Sequence, residues 1–143
     1  MEAEASNAAE LDFEIGGHQF RFLPPDIFLI RWRGPGTTND FEQLFTYVDR
    51  LVPSKAIFVV ADVSDLGTID RAVRKMVSTD PRMQCVRGLA LLGASFHIRV
   101  LLGMMSKAMN FFHSHPRAKV FTSESEGEAL AWIAKERAHV QAK

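Results

Sequence analysis

The stretch from Ala56 to Arg74 reads AIFVVADVSDLGTIDRAVR, and it decides the fold. It begins with an apolar, β-branched run that ends at Asp62, continues through a short polar loop, and then becomes a helix start. A buried parallel strand that leads into a helix has this pattern. The stretch therefore predicts an open α/β sheet whose loops, at the carboxyl ends of the strands, build a binding site.

The segments on both sides of this stretch alternate between strand-like and helix-like patterns. Before it, two alternating segments flank a Pro24-Pro25-Asp26 turn and predict an antiparallel hairpin. The predicted strands are His18–Leu23, Ile27–Arg33, Ile57–Val63, Leu89–Gly93 and Lys119–Thr122. The first predicted helix begins at an Asn39 cap, with Glu42 three residues later, and ends at Pro53. The others run from Ile69 to Ser78, from Phe96 to His113, and onwards from a capping box of Ser123 and Glu126. The order is ββαβαβαβα, so we expect an α/β fold with a mostly parallel sheet, an N-terminal hairpin and packed helices.

The composition is that of one ordinary globular domain. The chain has 143 residues, of which 47% are hydrophobic and 24% are charged, so a single hydrophobic core is expected. The first residues are small and acidic and show no periodicity. We therefore predict a flexible acidic tail over residues 1–11 and a single domain over residues 12–143.

Charge is unevenly distributed along the chain. The formal net charge is zero, yet nine Lys and Arg residues stand against one acid, Asp80, between Arg71 and Lys119. This stretch contains no nucleic-acid reader motif, and basic character alone is a weak signal, so no nucleic-acid partner is expected.

Cys85 and the hydropathy pattern indicate the cellular compartment of the protein. Cys85 is the only cysteine, so no disulfide can form within the chain, and the pattern around it is that of a half-buried filler. No transmembrane segment is expected, since His97 and Arg99 interrupt the longest apolar run. These features predict a cytoplasmic protein.

Three motifs resemble a known family. They are VVADVSDLGTIDRA at residues 59–72, LLGAS at residues 91–95 and VFTSESEGEALAWI at residues 120–133. Together with the element order they resemble the STAS/SpoIIAA-like group, in particular its STAS/SEC14-like branch. The resemblance implies a regulatory module that docks on a kinase or anti-sigma partner. The SEC14-like branch implies a lipid or other hydrophobic ligand.

The resemblance also places a phosphorylatable serine at the start of the helix that follows the strand ending at Asp62. In this chain the corresponding residue is Arg71, and the next one is Ala72. Neither side chain carries a hydroxyl group. We therefore expect the usual phosphorylation switch of the family to be missing.

Two loops at the predicted carboxyl edge of the sheet could hold a small anion. Helix N-termini in such loops present free N–H groups, and nearby arginines add positive charge. The candidate ligand-binding residues are Ser64, Thr68, Arg71, Arg74, Ser95 and Arg99. The alternative is structural: Thr68 and Ser95 cap helices, while the arginines are solvated or pair with Asp65 and Asp70.

No catalytic, metal or cofactor site is predicted. Ser95 follows Gly93 and Ala94 at a strand-to-helix turn, but the second glycine of a nucleophile elbow is absent and no triad order supports a hydrolase. His113 and His115 lack a cysteine or carboxylate at ligand spacing. Binding is therefore favoured over enzymatic activity.

The predicted helix from Phe96 is more apolar than a sheet-facing helix needs to be. Beside its core-facing residues it carries a second apolar stripe, the candidate interface, formed by Phe96, Val100, Met104 and Phe111. Such a stripe is core covered by a neighbouring helix, or it binds a protein partner, a second copy in a homodimer, or a lipid.

Together these patterns predict a non-enzymatic regulatory or interaction module of STAS-like type in bacterial signalling. Its partner is another protein or a second copy of the chain. The alternative is a binder or carrier of a small hydrophobic, lipid-like ligand or of a phosphorylated ligand, held at the carboxyl-end loops of the strands.

Overall fold

The computed structural model describes residues 9–112 and 119–141. A six-stranded sheet forms the centre of this part of the chain. Its strands are β1 (Leu11–Ile15), β2 (His18–Leu23), β3 (Ile27–Arg33), β4 (Ile57–Asp65), β5 (Val86–Leu92) and β6 (Lys119–Ser123). The helices are α1 (Thr38–Leu51), α2 (Arg71–Thr79), α3 (Phe96–Phe112) and α4 (Glu126–Gln141), with a short 3₁₀ turn at Pro81–Cys85.

The strands lie side by side in the order in which they occur along the chain. β1, β2 and β3 pair antiparallel, whereas β3, β4, β5 and β6 pair parallel. The predicted α/β fold and hairpin are confirmed. The prediction of a mostly parallel sheet is right in part, since three strand pairings are parallel and two are antiparallel. β1 was not predicted, because five residues beside the acidic segment give too short a pattern to recognise.

The helices divide between the two faces of the sheet. On the first face, α1, α2 and α3 cover a large core in which Phe28, Val59 and Leu91 are buried. On the second face, α4 covers a smaller core that includes Ala129 and Ile133. Ala90 of β5 and Ala129 of α4 are both fully buried in this contact.

Two helix caps differ from the sequence prediction, each by two residues. α1 is capped by Thr37, whose hydroxyl accepts the Asp40 N–H at 3.1 Å while the Asp40 carboxylate accepts the Thr37 N–H at 2.8 Å. The predicted Asn39 cap is therefore wrong. Thr37 and Asp40 also fit the capping-box spacing, and the buried Asp40 carboxylate is better placed than the exposed Glu42.

At α4, Ser125 rather than Ser123 caps the helix, since its hydroxyl accepts the Glu128 N–H at 3.1 Å. The Glu128 carboxylate instead accepts the Ser123 hydroxyl at 2.8 Å. This hydrogen bond, followed by one from the Glu124 N–H, lowers the pKa of Glu128. The predicted box was displaced because Ser-x-x-Glu occurs twice in succession here.

A buried polar contact ties the N-terminal hairpin to α1. His18 Nδ1 accepts the Arg33 N–H at 2.9 Å, so the ring hydrogen lies on Nε2, 3.3 Å from a carboxylate oxygen of Asp40. Gly16 stands against the same carboxylate with a positive φ of 57°, and a Cβ there would overlap Asp40. Asp40 therefore serves the helix cap and the hairpin together.

Candidate functional site

The end of β4 and the loop that follows β5 meet at the carboxyl edge of the sheet. A Cβ added to Gly93 would lie 2.8 Å from the Cβ of Ser64, the residue before the last of β4, so the strand end and the loop are in direct contact. Gly93 also has a positive φ of 68°, which disfavours side chains. The structure thus brings the candidate residue Ser64 beside the loop that carries Ser95.

Ser64 is occupied by a local hydrogen-bond network. Its N–H and its hydroxyl both donate to Oδ1 of Asp62, at 3.0 Å and 2.7 Å. The other carboxylate oxygen of Asp62 lies 3.7 Å from Arg31. A carboxylate beside Ser64 opposes the binding of an anion at this point. Asp62 is a site residue that the sequence reasoning missed, although the Asp-x-Ser spacing is typical of such a turn.

The predicted cap at Thr68 is wrong. Asp70 occupies the N-cap position of α2 and makes no side-chain capping bond, while Thr68 donates its N–H to the carbonyl of Leu66 at 2.9 Å. Two residues separate Thr68 from Arg71, where the helix begins. The Thr68 side chain is therefore too early in the chain to reach the free N–H groups of the first turn.

Ser95, by contrast, caps α3 as predicted, because its hydroxyl accepts the Ile98 N–H at 3.2 Å. Arg74 folds back on its own loop and donates to the carbonyl of Ile69 at 2.7 Å. Arg71 and Arg99 are exposed. Neither makes an ion pair within residues 9–112 and 119–141. The six candidate residues thus share one edge of the sheet, but no contact among the described side chains joins the three arginines into an anion pocket.

The outer surface of α3 is apolar. Phe96 is 75% exposed, Val100 42% and Met104 62%, and we call these three residues the outer stripe. Ile98 is buried on the opposite side of the helix. The outer stripe is therefore not core. The side chain of Phe111, the fourth predicted member, lies outside the described part of the structure.

A cavity of about 130 Å³ lies inside the first-face core. Its walls are almost wholly apolar and come from the sheet and from all three helices of that face, with Ala61, Val73, Leu89 and Leu102 among the lining residues. Thr68 borders it at the carboxyl edge, and Cys85 borders it near the start of β5. No pattern in the sequence indicates this cavity, since a void depends on how side chains of different elements meet.

Cys85 is half-buried, and burial raises the pKa of its thiol to about 11. The thiol is thus held in the protonated form that reacts poorly with electrophiles. This agrees with the prediction that Cys85 fills space rather than doing chemistry.

Neither a membrane-spanning helix nor a metal-binding cluster is present among the described residues. No helix in residues 9–112 or 119–141 is long and apolar enough to cross a membrane. Within the same ranges, no group of three or more His, Cys, Asp or Glu side chains could hold a metal ion. His113 and His115 lie outside these ranges.

The parallel strands, the contact between the end of β4 and the loop after β5, and the helices on both faces define a class of small α/β domain. A solved structure described as the anti-sigma factor antagonist SpoIIAA in its unphosphorylated form has this fold. It aligns with a TM-score of 0.52 and 18% sequence identity over 82% of this chain and 97% of that chain. At this identity the likeness shows the fold alone.

The family model described as SpoIIAA-like matches residues 27–134, so the chain belongs to the SpoIIAA-like family. The resemblance found in the sequence is thereby confirmed, while the narrower SEC14-like branch stays a prediction. A search of curated proteins found no match.

Proposed function

We propose that this protein is a non-enzymatic regulatory module of bacterial signalling that works in the cytoplasm by docking on a protein partner. The observation that carries the proposal is the outer stripe of α3. A Phe, a Val and a Met exposed together along one helix are typical of an interaction surface. The SpoIIAA-like family and the likeness to an anti-sigma factor antagonist support the same class of function.

The start of α2 supports docking without a phosphorylation switch. Arg71 and Ala72 are the first two residues of the helix, and its only hydroxyl side chains, Ser78 and Thr79, lie at its far end. A modification at the helix start would therefore need a hydroxyl from the preceding loop. Ser64, at the end of β4, already donates its hydroxyl to Asp62.

The proposal is tested by finding the partner and rebuilding the complex. Tagged protein would be cross-linked in cells of its source organism, and the captured protein would be purified separately and titrated by calorimetry. We expect a defined stoichiometry without added nucleotide or modifying enzyme. A purified chain that binds no captured protein in this titration contradicts the docking function.

A parallel measurement tests the missing switch. The purified chain would be incubated with ATP and cell extract, and the peptide spanning residues 64–74 would be examined by mass spectrometry. We expect no phosphate on it. Stoichiometric phosphate on Ser64 or Thr68 would show that the switch has moved rather than disappeared.

The apolar cavity favours a second function, the binding of a small hydrophobic ligand. An apolar cavity of about 150 Å³ accepts benzene, so the 130 Å³ void suits a compact apolar molecule. A lipid-like ligand needs a larger space, and a phosphorylated one would have to bind outside, at the loops of Ser64 and Ser95. Native mass spectrometry of several preparations tests for a retained ligand. Ala61→Leu, which adds volume inside the cavity, should abolish retention.

Homodimerisation through Phe96, Val100, Met104 and Phe111 also stays a prediction. Light scattering over a range of protein concentrations checks it. A dimer that Met104→Glu converts to a folded monomer would support this assignment, whereas a monomer at every concentration would contradict it.

A further inference from the structure

We infer that the outer stripe of α3 binds an acidic amphipathic helix of the protein partner. This inference rests on the proposed docking function and names the chemistry of its partner. It starts from the orientation of α3, which buries Ile98 and half-buries Leu101 and Leu102 against the domain. At 3.6 residues per turn, the direction opposite these residues belongs to Phe96, Val100 and Gly103. The centre of the solvent-facing side is therefore apolar.

Four residues of this outer side form a hole of the kind used when helices pack together. Positions i, i+3, i+4 and i+7 of a helix surround a depression that accepts one side chain from a facing helix. In α3 these positions are Phe96, Arg99, Val100 and Gly103. All four are exposed. A leucine-sized side chain of a partner helix fits between them.

Gly103 is the observation that favours a helix over a flat surface such as a membrane. A glycine inside a helix is unfavourable relative to alanine, and no atom lies within 4 Å of where its Cβ would be. Nothing in the described structure therefore requires glycine at this position. A facing helix would make use of it, because the missing side chain lets the two backbones come close.

The charges around the stripe select an acidic partner. α2 and α3 pack against each other and together contain no Asp or Glu. Arg71, Lys75 and Arg99 are exposed, and none makes an ion pair with another described residue. An acidic helix would neutralise them, and opposite charges also speed the encounter of two proteins. A second copy of α3 would instead bring Arg99 close to its own equivalent.

The test uses two synthetic helical peptides with the same leucine heptads. One carries glutamates beside the leucines, and the other carries lysines at those positions. Fluorescence anisotropy at low salt should show the glutamate peptide binding at least about tenfold more tightly than the lysine peptide. Raising the ionic strength should reduce the difference in affinity between the two peptides, because salt screens the charges. Equal affinity for the two peptides would overturn the inference.

Variants locate the binding surface. Met104→Glu and Gly103→Leu should each weaken binding of the glutamate peptide by about tenfold or more, since one places an acid in the stripe and the other fills the hole. Leu11→Glu is the matched control, because Leu11 is also an exposed apolar residue but lies in β1, at the other edge of the sheet. Arg99→Glu should shift the preference towards the lysine peptide. Circular dichroism checks that every variant is folded.

Three other results would each overturn the inference and assign a different role to the outer stripe or a different place to the docking site. Binding to vesicles of phosphatidylglycerol, but to neither peptide, would assign the stripe to a membrane. A wild-type dimer that Met104→Glu separates would assign it to a second copy. If the purified partner from the preceding experiments bound wild type and Met104→Glu equally, the docking function would stand and its place on α3 would be wrong.

Discussion

α3 and α4 follow neighbouring parallel strands, yet they relate to the domain in opposite ways. α4 buries Ala129 and Ile133 completely against the sheet. α3 buries Ile98 but leaves Phe96 and Met104 largely in water. α3 is also the more apolar of the two in sequence. Hydrophobic content alone therefore does not show which helix is a structural support and which offers a surface.

The packing beneath the helices also differs between the two faces. Beneath α4 the sheet presents Phe58 and Val60 together with Ala90, and the Trp132 ring packs where Gly88 leaves room for it. Beneath the helices of the first face lie Val59, Leu89 and Leu91, and the 130 Å³ cavity remains among them. Close contact on one side and an unfilled volume on the other should give the two helices different responses to mutation.

The largest expected effect is at Ile133, which is fully buried under α4. Ile133→Ala should lower the free energy of unfolding by about 2 to 5 kcal/mol, because it removes buried carbon atoms and leaves a void. Met104→Ala on α3 is the matched variant and should change it by less than about 0.5 kcal/mol. Urea unfolding measures both. Similar losses would show that the outer stripe is packed and that the contrast between the helices is false.

Trp132 gives the next effect. Its ring stacks on Phe121 with centroids 5.0 Å apart and planes at 10°, and it also packs beside Gly88. Trp132→Ala should lower the free energy of unfolding by about 3 kcal/mol, at the lower end of the range for tryptophan because the ring is half-buried. A loss below about 1 kcal/mol in urea unfolding would mean that α4 is held by its small residues alone.

The reactivity of Cys85 reports how well the first-face core excludes water. Burial raises the pKa of its thiol from 9.0 to about 11. Alkylation by iodoacetamide at pH 8 should therefore be about a hundredfold slower than for an exposed cysteine. The rate should rise with pH towards a midpoint near 11. A midpoint near the ordinary value would show that the cavity side opens to water easily.

The same raised pKa makes stability depend on pH. Between about pH 9 and pH 11 the unfolded chain loses the thiol proton that the folded chain retains. The free energy of unfolding therefore falls as the pH rises through this window, and the contribution of Cys85 to stability is fully present below it. Urea unfolding at a series of pH values measures this effect. The Cys85→Ala variant should lack the fall in the free energy of unfolding between about pH 9 and pH 11.

The smallest effects come from two glycines, and they should have opposite signs. Gly88→Ala places a Cβ 3.0 Å from Phe58 and 3.2 Å from Trp132, which should destabilise the fold by about 1 kcal/mol. Gly103→Ala places its Cβ in open space and should stabilise it by about 0.5 to 1 kcal/mol through helix propensity. Thermal unfolding of the two variants decides the comparison. Destabilisation by Gly103→Ala would mean that α3 is covered where we describe it as open.

Much of the fold could be predicted from the sequence because local patterns were strong. The hairpin strands at His18–Leu23 and Ile27–Arg33 have the predicted bounds, and the Ser95 cap is present. The caps at Thr37 and Ser125 were each misplaced by two residues, because polar residues suited to capping stand close together there. At α1 the burial of Asp40 decides the choice, whereas at α4 Glu126 and Glu128 are both exposed and only the hydrogen bonds of the folded helix start distinguish the two serines.

The candidate site was harder to predict because it depends on distant residues. The contact between Gly93 and Ser64, the use of Asp62 by Ser64, and the return of Arg74 to its own loop all arise from how the end of β4 and the loops pack. Periodicity carries no information on these contacts. It did indicate an apolar excess on α3, but only the packed structure shows that the excess faces water.

The match between strand order and chain order has a consequence for synthesis. From β1 to β6, each new strand pairs with the one made just before it, so the sheet can grow in the direction of translation as the chain leaves the ribosome. α4 comes last, and until it emerges Phe58, Val60 and Ala90 lack their cover on the second face. The nascent chain therefore exposes this apolar face to aggregation until α4 has emerged and packed on it.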